Sequence, residues 1–392
     1  MHFELTEEQR MIRETVRDFA ETELAPEALD RDINKTQALP QWKKFCELGF
    51  AGMTIEEEYG GTPLDAISEA IVIEELSRVD AAFGVLVAVH SGLTGSTMTT
   101  WATPEQKKLV CTKMANGEWL AAYSLSEAGA GSDAAALTCA AKLDGEEWVV
   151  NGTKLWVTNG GNADVYIIFA RSHPDAEKKS KQVSAFIIPK TSKGLSVSKL
   201  EDKLGIRASD TAEVVLENVR VPRDMVLGGE GNGLRVAFNA LDVSRIGIAA
   251  QALGIAQGAL DFAVGYAQDR ITMGKPIIQH QSIGNYLADM ATKVDAARLL
   301  VYRAAWMKEQ GQVHSKESSM AKLFAGDTAM WVADRAVQIL GGYGYTKDFP
   351  VERYFRDAKI TQIYEGTQEM QRVVIARALQ GTVKGVAAKH AG

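Results

Sequence analysis

Hydrophobic residues recur at helical spacing through the first 120 residues of the chain. Thr6 to Gln9 has the pattern of a capping box, and it precedes the apolar stripe Met11, Ile12, Val16 and Phe19. Thr103 to Gln106 repeats that pattern. Two more helices are predicted at 66–78 and 81–101, and the small residues of the second suit either close helix packing or space for a ligand tail. We therefore expect a helical N-terminal domain over residues 1–120.

The pattern changes near residue 120 to short runs of β-branched and aromatic residues separated by turn dipeptides. Asp144-Gly145 and Asn151-Gly152 are predicted hairpin turns. Further strands are predicted at 165–170, 183–189 and 212–221. Because these strands follow one another without helices between them, we expect a small antiparallel sandwich or barrel over residues 121–230.

Long helical patterns return after a glycine-rich segment at 228–233. They predict four helices, at 233–269, 280–310, 315–340 and 367–380. These helices indicate a four-helix bundle in a C-terminal domain over residues 231–392, with a frayed tail at 381–392. The predicted fold is mainly α, with a middle β domain between an N-terminal helical domain and a C-terminal helical bundle.

Composition indicates a globular chain of 392 residues with a mild acidic excess. The 43 basic and 50 acidic residues give a net charge of -7, which argues against a surface for nucleic acid. The N-terminus lacks the pattern of a signal or transit peptide, and the longest uncharged apolar run, 81–89, is shorter than a membrane span. Three cysteines without a CxxC pair and six histidines without HxxxH spacing argue against disulfides and against a metal site. We expect a cytoplasmic protein without metal, nucleic acid or membrane span.

Two loops of the β region carry groups that can bind a ligand. The chain has neither a GxGxxG fingerprint nor a GxxxxGK[ST] loop, which disfavours Rossmann and P-loop enzymes. Segment 124–133, SLSEAGAGSD, offers hydroxyls and backbone N–H groups to a heterocycle or a pantetheine chain, or it is a plain connection. Segment 156–161, WVTNGG, can stack a ring, or it ends a strand in a turn.

Polar or glycine residues at three places in the C-terminal region can have either a structural role or a role in ligand binding. Asp242 and Arg245 lie on one helix face, as an exposed ion pair or as ligand contacts. Arg270 and Thr272 follow a helix end, where they contact phosphate or solvent. The glycines of segment 338–345, QILGGYGY, can serve as a helix C-cap alone. A structural role explains each of these groups when it is taken by itself.

A lone carboxylate, Glu365, lies between Tyr364 and Gly366, just before a helix for which Thr367 is the expected N-cap. The positive end of the helix dipole favours the ionised carboxylate, whereas burial beside an aromatic ring raises its pKa toward that of a useful base. The residue is therefore either a catalytic base or a carboxylate that complements a helix N-terminus.

Taken together and in this order, SLSEAGAGSD, WVTNGG, LDVSR, RITMGKP, QILGGYGY and IYEGT resemble the acyl-CoA dehydrogenase family of flavoproteins. The resemblance spans residues 5–379 and implies bound FAD. In that family the flavin ring contacts the positions of Tyr123, Leu125, Ser126, Trp156 and Thr158. The pyrophosphate and adenine end lies across a subunit interface, at Arg270, Thr272, Gln281, Gln338, Gly341 and Gly342, and Thr367 and Glu369 match further FAD contacts. The interface implies a homo-oligomer, usually a tetramer.

The resemblance also implies a substrate and a reaction. Acyl-CoA would contact Ser132, Asp242, Arg245, Tyr364 and Gly366. Glu365 would remove the α-proton while a hydride passes to flavin N5, giving a trans-2-enoyl-CoA, and an electron-transfer flavoprotein would accept the electrons. Members with a different base position carry it where this chain has Ser244, and serine cannot serve. We therefore expect the type that acts on short or medium straight chains.

Two alternatives share the same residues. An acyl-CoA oxidase passes the electrons to oxygen, but such enzymes are usually longer than this chain. A noncatalytic CoA-binding scaffold on the same fold would have no use for Glu365. Rapid formation of hydrogen peroxide would favour the oxidase, and a colourless protein that takes up no FAD would favour the scaffold.

Overall fold

The structure is a computed structural model that describes residues 4–380. Within this range the chain runs through a helical region, a β-sheet and a second helical region, as predicted. The helices before the sheet are α1 (Glu7–Phe19), α2 (Ala28–Asn34), α3 (Leu39–Glu47), α4 (Ala66–Val79), α5 (Ala81–Val87), α6 (Ser96–Trp101), α7 (Pro104–Gln106) and α8 (Thr112–Ala115). The tail expected to fray, 381–392, lies outside the described residues.

The predicted helix starts and the helix at 81–101 are confirmed. Both capping boxes are present, with Thr6 and Thr103 each accepting from the N–H three residues later. The helix from α5 to α6 is continuous, but its middle, Ala88–Gly95, winds as a π-helix. Such wide turns occur mostly as short insertions in α-helices, frequently at functional sites.

The middle region forms one eight-stranded sheet. Its strands are β1 (Ala121–Ser124), β2 (Ala140–Asp144), β3 (Glu147–Thr158), β4 (Val165–Arg171), β5 (Val183–Pro189), β6 (Leu195–Leu200), β7 (Thr211–Pro222) and β8 (Val226–Leu227). The order is β6-β7-β3-β2-β4-β5-β8, and β1 pairs with β4. Most pairs are antiparallel, but β4 pairs in parallel with β1 and, at Ala140 and Arg171, with β2. The β2–β3 hairpin lies between β1 and β4 in the chain and supplies the crossover that a parallel pair needs. The expectation of a purely antiparallel sheet was wrong at these two pairs.

Both faces of the sheet are buried along β4. Val165, Ile167 and Phe169 pack toward the helices, while Tyr166 and Ile168 share a second core that also contains residues of β7. The sheet therefore curls over on itself, as expected of a sandwich or barrel.

Asn151-Gly152 does not form the predicted hairpin turn. The strand β3 continues through it, and its register against β7 shifts between Val150 and Gly152. The Asn151 side chain accepts from the Asn218 N–H at 2.8 Å, and a Cβ on Gly152 would lie 2.7 Å from the sulfur of Cys139. The dipeptide marks a β-bulge and a close contact. The sequence alone cannot distinguish such a bulge from a hairpin turn.

The C-terminal region contains the predicted helices and one more. After α9 (Gly233–Asp269) comes a short hairpin of β9 (Ile271–Thr272) and β10 (Lys275–Pro276). It is followed by α10 (Gln281–Glu309), α11 (Ser315–Leu340), α12 (Val351–Ile360) and α13 (Gln368–Leu379). The four-helix expectation missed α12, because its 10 residues, half of them charged, span fewer than three helical turns.

One apolar core joins the two helical regions, since α4 of the first packs against α9 of the second. The described stretches Ala81–Trp101 and Gly233–Asp269 are long and apolar enough to cross a membrane, but 89% and 78% of their apolar windows are buried inside the protein. They are core helices of this fold. The part of the chain that the structure describes has no group of three or more His, Cys, Asp or Glu placed to hold a metal ion.

We expect Gly254→Ala to lower the free energy of unfolding by about 1–3 kcal/mol. A Cβ on Gly254 would lie 2.3 Å from the Glu74 carbonyl oxygen, where α4 and α9 meet. Gly265, on the same helix, has nothing within 4 Å of its Cβ position, so Gly265→Ala should raise stability by about 0.5–1 kcal/mol. Urea unfolding measures both, and equal effects would refute the close packing of α4 on α9.

Candidate active site

The loop between α12 and α13 carries the candidate base. Thr367 caps α13, and its hydroxyl accepts from the Met370 N–H at 3.4 Å. Just before this cap, Glu365 has a φ of 52° and Gly366 a φ of 98°. Holding a glutamate in the left-handed region costs about 1–3 kcal/mol, and such strained residues cluster at functional sites.

The Glu365 carboxyl is enclosed enough that its ionised form is disfavoured. Burial raises the pKa of Glu365 to about 7, although the Ser244 hydroxyl and the positive charges of Lys322 and Arg245 act in the opposite direction. Its Oε2 atom is buried and has no hydrogen-bond partner among the described residues. A carboxylate with this pKa and a free oxygen can accept a proton near neutral pH.

Two buried side chains donate hydrogen bonds to the backbone of the loop that carries Glu365. The Lys322 ammonium and the Gln371 amide both donate to the Gly366 carbonyl at 2.7 Å. Lys322 is fully buried, and burial lowers its pKa to about 8, against the charge of Glu365. Sequence reasoning missed both residues. A usable signal for Lys322 was its position on the buried stripe of α11, in register with Ser318, Ala325 and Ala329.

Arg245 and Asp242 form the predicted ion pair, but the arginine is buried. Its guanidinium donates to the Asp242 carboxylate at 2.6 Å, and Asp242 also accepts from the Ser315 hydroxyl at 2.9 Å. Burial lowers the pKa of Arg245, while Asp242 and Glu365 act to raise it. The structural interpretation of this pair implied an exposed arginine. The observed arginine is instead a buried cation beside the candidate base.

Two tyrosines lie close to the Glu365 carboxyl. The Tyr364 hydroxyl donates to the side chain of Gln251, and the Tyr123 hydroxyl is buried with no hydrogen-bond partner among the described residues. Burial raises the pKa of both hydroxyls well above the usual value, and the charge of Glu365 adds to this rise. The structure therefore brings Tyr123, at the start of the sheet, next to a loop about 240 residues later in the chain.

The other residues expected at the flavin ring lie on two neighbouring segments. Leu125 and Ser126 follow β1, and the Ser126 carbonyl accepts from the Leu155 N–H at 3.0 Å. Trp156 then has a φ of 56° at a bulge of β3 and is 56% exposed, whereas Thr158 is half-buried. The bulge turns the Trp156 ring out of the sheet. Ser132, expected to contact substrate, lies exposed in the loop after β1.

A second group of predicted residues lines an open cleft at the end of α9. The cleft has about 1090 Å³ of empty space, part of it open to solvent, and contains Arg270, Thr272, Gly341 and Gly342. Gln281 and Gln338 are exposed at the start of α10 and near the end of α11, outside its lining. None of the lining residues belongs to the Glu365 loop, so within one chain the two predicted groups do not form a single site.

These features fit a flavin dinucleotide in chemical terms. The hydroxyls of Tyr123 and Ser124 are buried with no partner among the described residues, and the exposed Trp156 ring offers a flat surface. The open cleft offers the Arg270 guanidinium, which suits a phosphate group. Thr367 caps α13, and Glu369 is exposed in the first turn of that helix, with a pKa lowered by its own backbone N–H and by the Thr367 hydroxyl. A structural role thus accounts for these last two residues.

The order of these motifs matches three consecutive family profiles. The N-terminal domain of acyl-CoA dehydrogenases matches residues 6–118, the middle domain residues 122–219 and the C-terminal domain residues 231–380. The chain belongs to the acyl-CoA dehydrogenase family. It is thus a flavoprotein oxidoreductase of acyl-CoA metabolism, with the mainly helical fold expected from its sequence.

Known acyl-CoA dehydrogenases resemble this chain over nearly its whole length. The short-chain specific enzyme of Clostridium acetobutylicum is 45% identical over 376 residues, which cover 96% of this chain and 99% of that protein. Butyryl-CoA dehydrogenase from Megasphaera elsdenii is 40% identical, with a TM-score of 0.94 over 97% of this chain and 100% of that one. A chain from a structure described as the electron transferring flavoprotein of Acidaminococcus fermentans is 45% identical, with a TM-score of 0.95 over 97% of this chain and 100% of that one.

With Glu365 as its candidate base, this acyl-CoA dehydrogenase should lose activity as the pH falls through about 7, because a base must be ionised to act and the pKa of Glu365 is raised to about 7. Below that pH, kcat/KM should fall about tenfold per pH unit. Initial rates with butyryl-CoA and an artificial electron acceptor measure the profile, and flavin absorbance checks that the cofactor stays bound. A rate that holds steady down to the ordinary pKa of a glutamate would contradict the raised value.

Proposed function

We propose that this acyl-CoA dehydrogenase uses FAD to oxidise short to medium straight-chain acyl-CoA thioesters to trans-2-enoyl-CoA, with Glu365 as the catalytic base. The observation that carries this proposal is the Glu365 carboxyl itself. It sits on a strained backbone, its pKa is raised to about 7, and its Oε2 has no partner among the described residues. A helix-capping role would need neither the strain nor the free oxygen.

In this proposal, Oε2 of Glu365 takes a proton from carbon 2 of the acyl group. That proton becomes acidic when the thioester carbonyl accepts hydrogen bonds, which stabilise the negative charge that develops on its oxygen. The Glu365 N–H donates to none of the described residues. It is therefore free to donate to the thioester oxygen while the side chain acts on the neighbouring carbon.

The charges around the base set its state before and during the reaction. Lys322 and Arg245 favour the ionised carboxylate at rest. An apolar acyl chain that displaces water from the site raises the pKa of the carboxyl further and so favours uptake of the proton. Arg245 and Asp242 then lie where they can orient the thioester, with Tyr364 and Gly366 beside it and Ser132 on the pantetheine side.

FAD would be held by this chain's own residues at its ring end. Tyr123 and Ser126 would hydrogen-bond the ring, and Leu125, Trp156 and Thr158 would cover it. The other end would contact Arg270, Thr272, Gln281, Gln338, Gly341 and Gly342, and Thr367 and Glu369 would add further contacts. When bound, FAD supplies the acceptor for the hydride that leaves carbon 3.

A homotetramer is part of the proposal, because one chain does not bring the two ends of the cofactor site together. The open cleft around Arg270 shares no lining residue with the Glu365 loop, which supports a cofactor that spans two subunits. Light scattering on the FAD-loaded protein tests this directly. A monomer that retains FAD would contradict it.

An electron-transfer flavoprotein is the proposed acceptor of the electrons. The similar chain from the Acidaminococcus fermentans structure supports this partner.

We further propose the domain limits 1–120, 121–230 and 231–392. We also propose a cytoplasmic location, which the acidic composition and the three free cysteines support.

Anaerobic titration of the FAD-loaded enzyme with saturated acyl-CoAs of graded length tests the reaction. Butyryl-CoA should bleach the flavin absorbance, and trans-2-enoyl-CoA should form in equal amount. Hydrogen peroxide formed at the turnover rate in air would instead make the protein an oxidase. A protein that takes up no FAD would be a noncatalytic CoA-binding scaffold, and bound FAD that no acyl-CoA bleaches would overturn the proposal.

A further inference from the structure

A charged pair lines the narrow cavity beside the catalytic loop. Its empty space of about 390 Å³ includes open solvent, and only about 20 Å³ of it is wide enough for a water molecule; Ile73, Ala88, Gly92, Ser244, Glu69 and Lys308 are among the described residues that line it. Glu69 on α4 and Lys308 on α10 are the charged members of this set. The Lys308 ammonium donates to both carboxylate oxygens of Glu69, at 2.9 and 3.2 Å.

Stability does not explain a charged pair at this place. The Glu69 and Lys308 side chains are 17% and 23% exposed, and apolar or small side chains dominate the rest of the lining. Replacing such a half-enclosed ion pair by apolar residues is often neutral or stabilising, because both charges lose hydration on burial. A wall made of apolar residues would also serve a long alkyl chain better.

The cavity is connected to the reacting atoms through Ser244. Ser244 is part of the cavity lining, and its hydroxyl, which donates to the Leu241 carbonyl at 3.3 Å, is close enough to the Glu365 carboxylate to lower the pKa of that group. An acyl chain with carbon 2 at Glu365 therefore points toward this narrow space, and its far end enters only where the lining side chains move apart. Two glycines of the cavity lining leave space beside the chain. A Cβ on Gly92 would meet nothing within 4 Å, and a Cβ on Gly247 would first meet Ala88 at 4.0 Å.

We propose that the Glu69–Lys308 pair sets the upper limit on acyl chain length in this enzyme, so that its substrates are short, straight, saturated acyl thioesters. This inference rests on the proposed function and narrows its substrate class. An alkyl end that reaches the pair displaces water from two charges, and that cost offsets the gain from burying further methylene groups. The small residues of the π-helical segment make room for the chain, and the ion pair ends it.

The test compares chain-length profiles for binding in a background that cannot turn over. Isothermal titration calorimetry of FAD-loaded Glu365→Gln gives dissociation constants for butyryl-, hexanoyl- and octanoyl-CoA. With the pair intact, affinity should not rise beyond butyryl-CoA. In Glu69→Leu/Lys308→Met the two charges are removed together, because a lone buried charge is destabilising. Affinity should then rise about fourfold per added methylene.

Two matched variants separate the pair from general effects. Glu56→Leu/Lys107→Met removes another half-buried ion pair of the helical region, outside the cavity lining, and should keep the original profile. Glu69→Lys/Lys308→Glu exchanges the charges and should also keep it. If the apolar variant does not fold, Glu69→Gln/Lys308→Gln replaces it, with a rise of about twofold per methylene expected because only the charges are lost.

The outcomes separate this inference from the reaction itself. A profile that is the same with and without the charged pair overturns the inference, as does an equal gain in the Glu56/Lys107 control. Bleaching of the flavin by butyryl-CoA in the unmodified enzyme does not depend on the chain-length profiles of the variants. If that bleaching is absent, the proposed reaction is overturned, but the inference about the charged pair is not. Failure of every acyl-CoA to bind overturns the two together.

Discussion

Glu365→Gln should lower kcat for acyl-CoA oxidation by about 10⁴-fold, the upper end of the effects seen for general bases. Glutamine keeps the shape of the side chain but cannot accept the proton from carbon 2. Water does not replace it, because the Oε2 position is buried. Stopped-flow measurement of flavin bleaching gives the rate, and the flavin spectrum shows that FAD remains bound.

The control for this variant is Glu118→Gln, which neutralises an exposed carboxylate that pairs with Lys113 on the surface. It should retain the full rate. Glu365→Asp keeps a carboxylate but withdraws it by one methylene. Its rate should therefore lie between those of Glu365→Gln and Glu118→Gln. Glu365→Gln with more than about a tenth of the original rate would exclude Glu365 as the base.

Lys322→Met should lower the free energy of unfolding by about 1.5–3 kcal/mol, the usual worth of a hydrogen bond from a charged donor. It should also move the acid limb of the pH–rate profile to higher pH. The reason is that the Lys322 charge lowers the pKa of Glu365, so its loss lets that pKa rise. Activity lost at neutral pH should return as the pH is raised.

Gln371→Leu is the matched control, since Gln371 donates to the same Gly366 carbonyl at the same 2.7 Å but carries no charge. It should cost about 0.5–1.5 kcal/mol of stability and leave the acid limb in place. Urea unfolding and rate profiles on both variants make the comparison. An equal shift of the limb in both would mean that Lys322 only supports the loop, without an electrostatic effect on the base.

Much of the fold could be predicted because long elements carry many periods of their pattern. The helices α9, α10 and α11 each repeat an apolar stripe over more than 25 residues, and their predicted limits agree with the structure to within a residue or two. Short elements carry too few residues for this. The helix α12, of 10 residues, and the strand β1, of 4 residues, were missed for that reason.

The partners of the candidate base could not be predicted from spacing. Glu365 stood out between a tyrosine and a glycine, and the resemblance of the ordered motifs to a known family then indicated it as the base. Lys322, Gln371 and Tyr123, however, reach its loop from three other elements. Such contacts depend on how α11, α13 and the sheet pack, which is a tertiary property. Tyr123 lies on β1, whose parallel pairing with β4 sequence reasoning did not anticipate.

The same limit explains the misassigned dipeptide in β3. Asn-Gly suits a two-residue hairpin turn in isolation, yet here β3 pairs with β7 on both sides of the dipeptide, from Glu147 to Thr158. Close approach to Cys139 then makes glycine necessary at position 152. The local preference was overridden by sheet pairing, in the way that β propensities commonly are.

Exchange of the proton on carbon 2 tests the central claim, that Glu365 is the base, most directly. An acyl-CoA analogue with sulfur in place of carbon 3 has no hydride to lose, so its exchange in deuterated water reports proton removal alone. The FAD-loaded enzyme should replace the carbon 2 protons with deuterium, as seen by NMR, and Glu365→Gln should not. Exchange at an unchanged rate in Glu365→Gln would contradict the account.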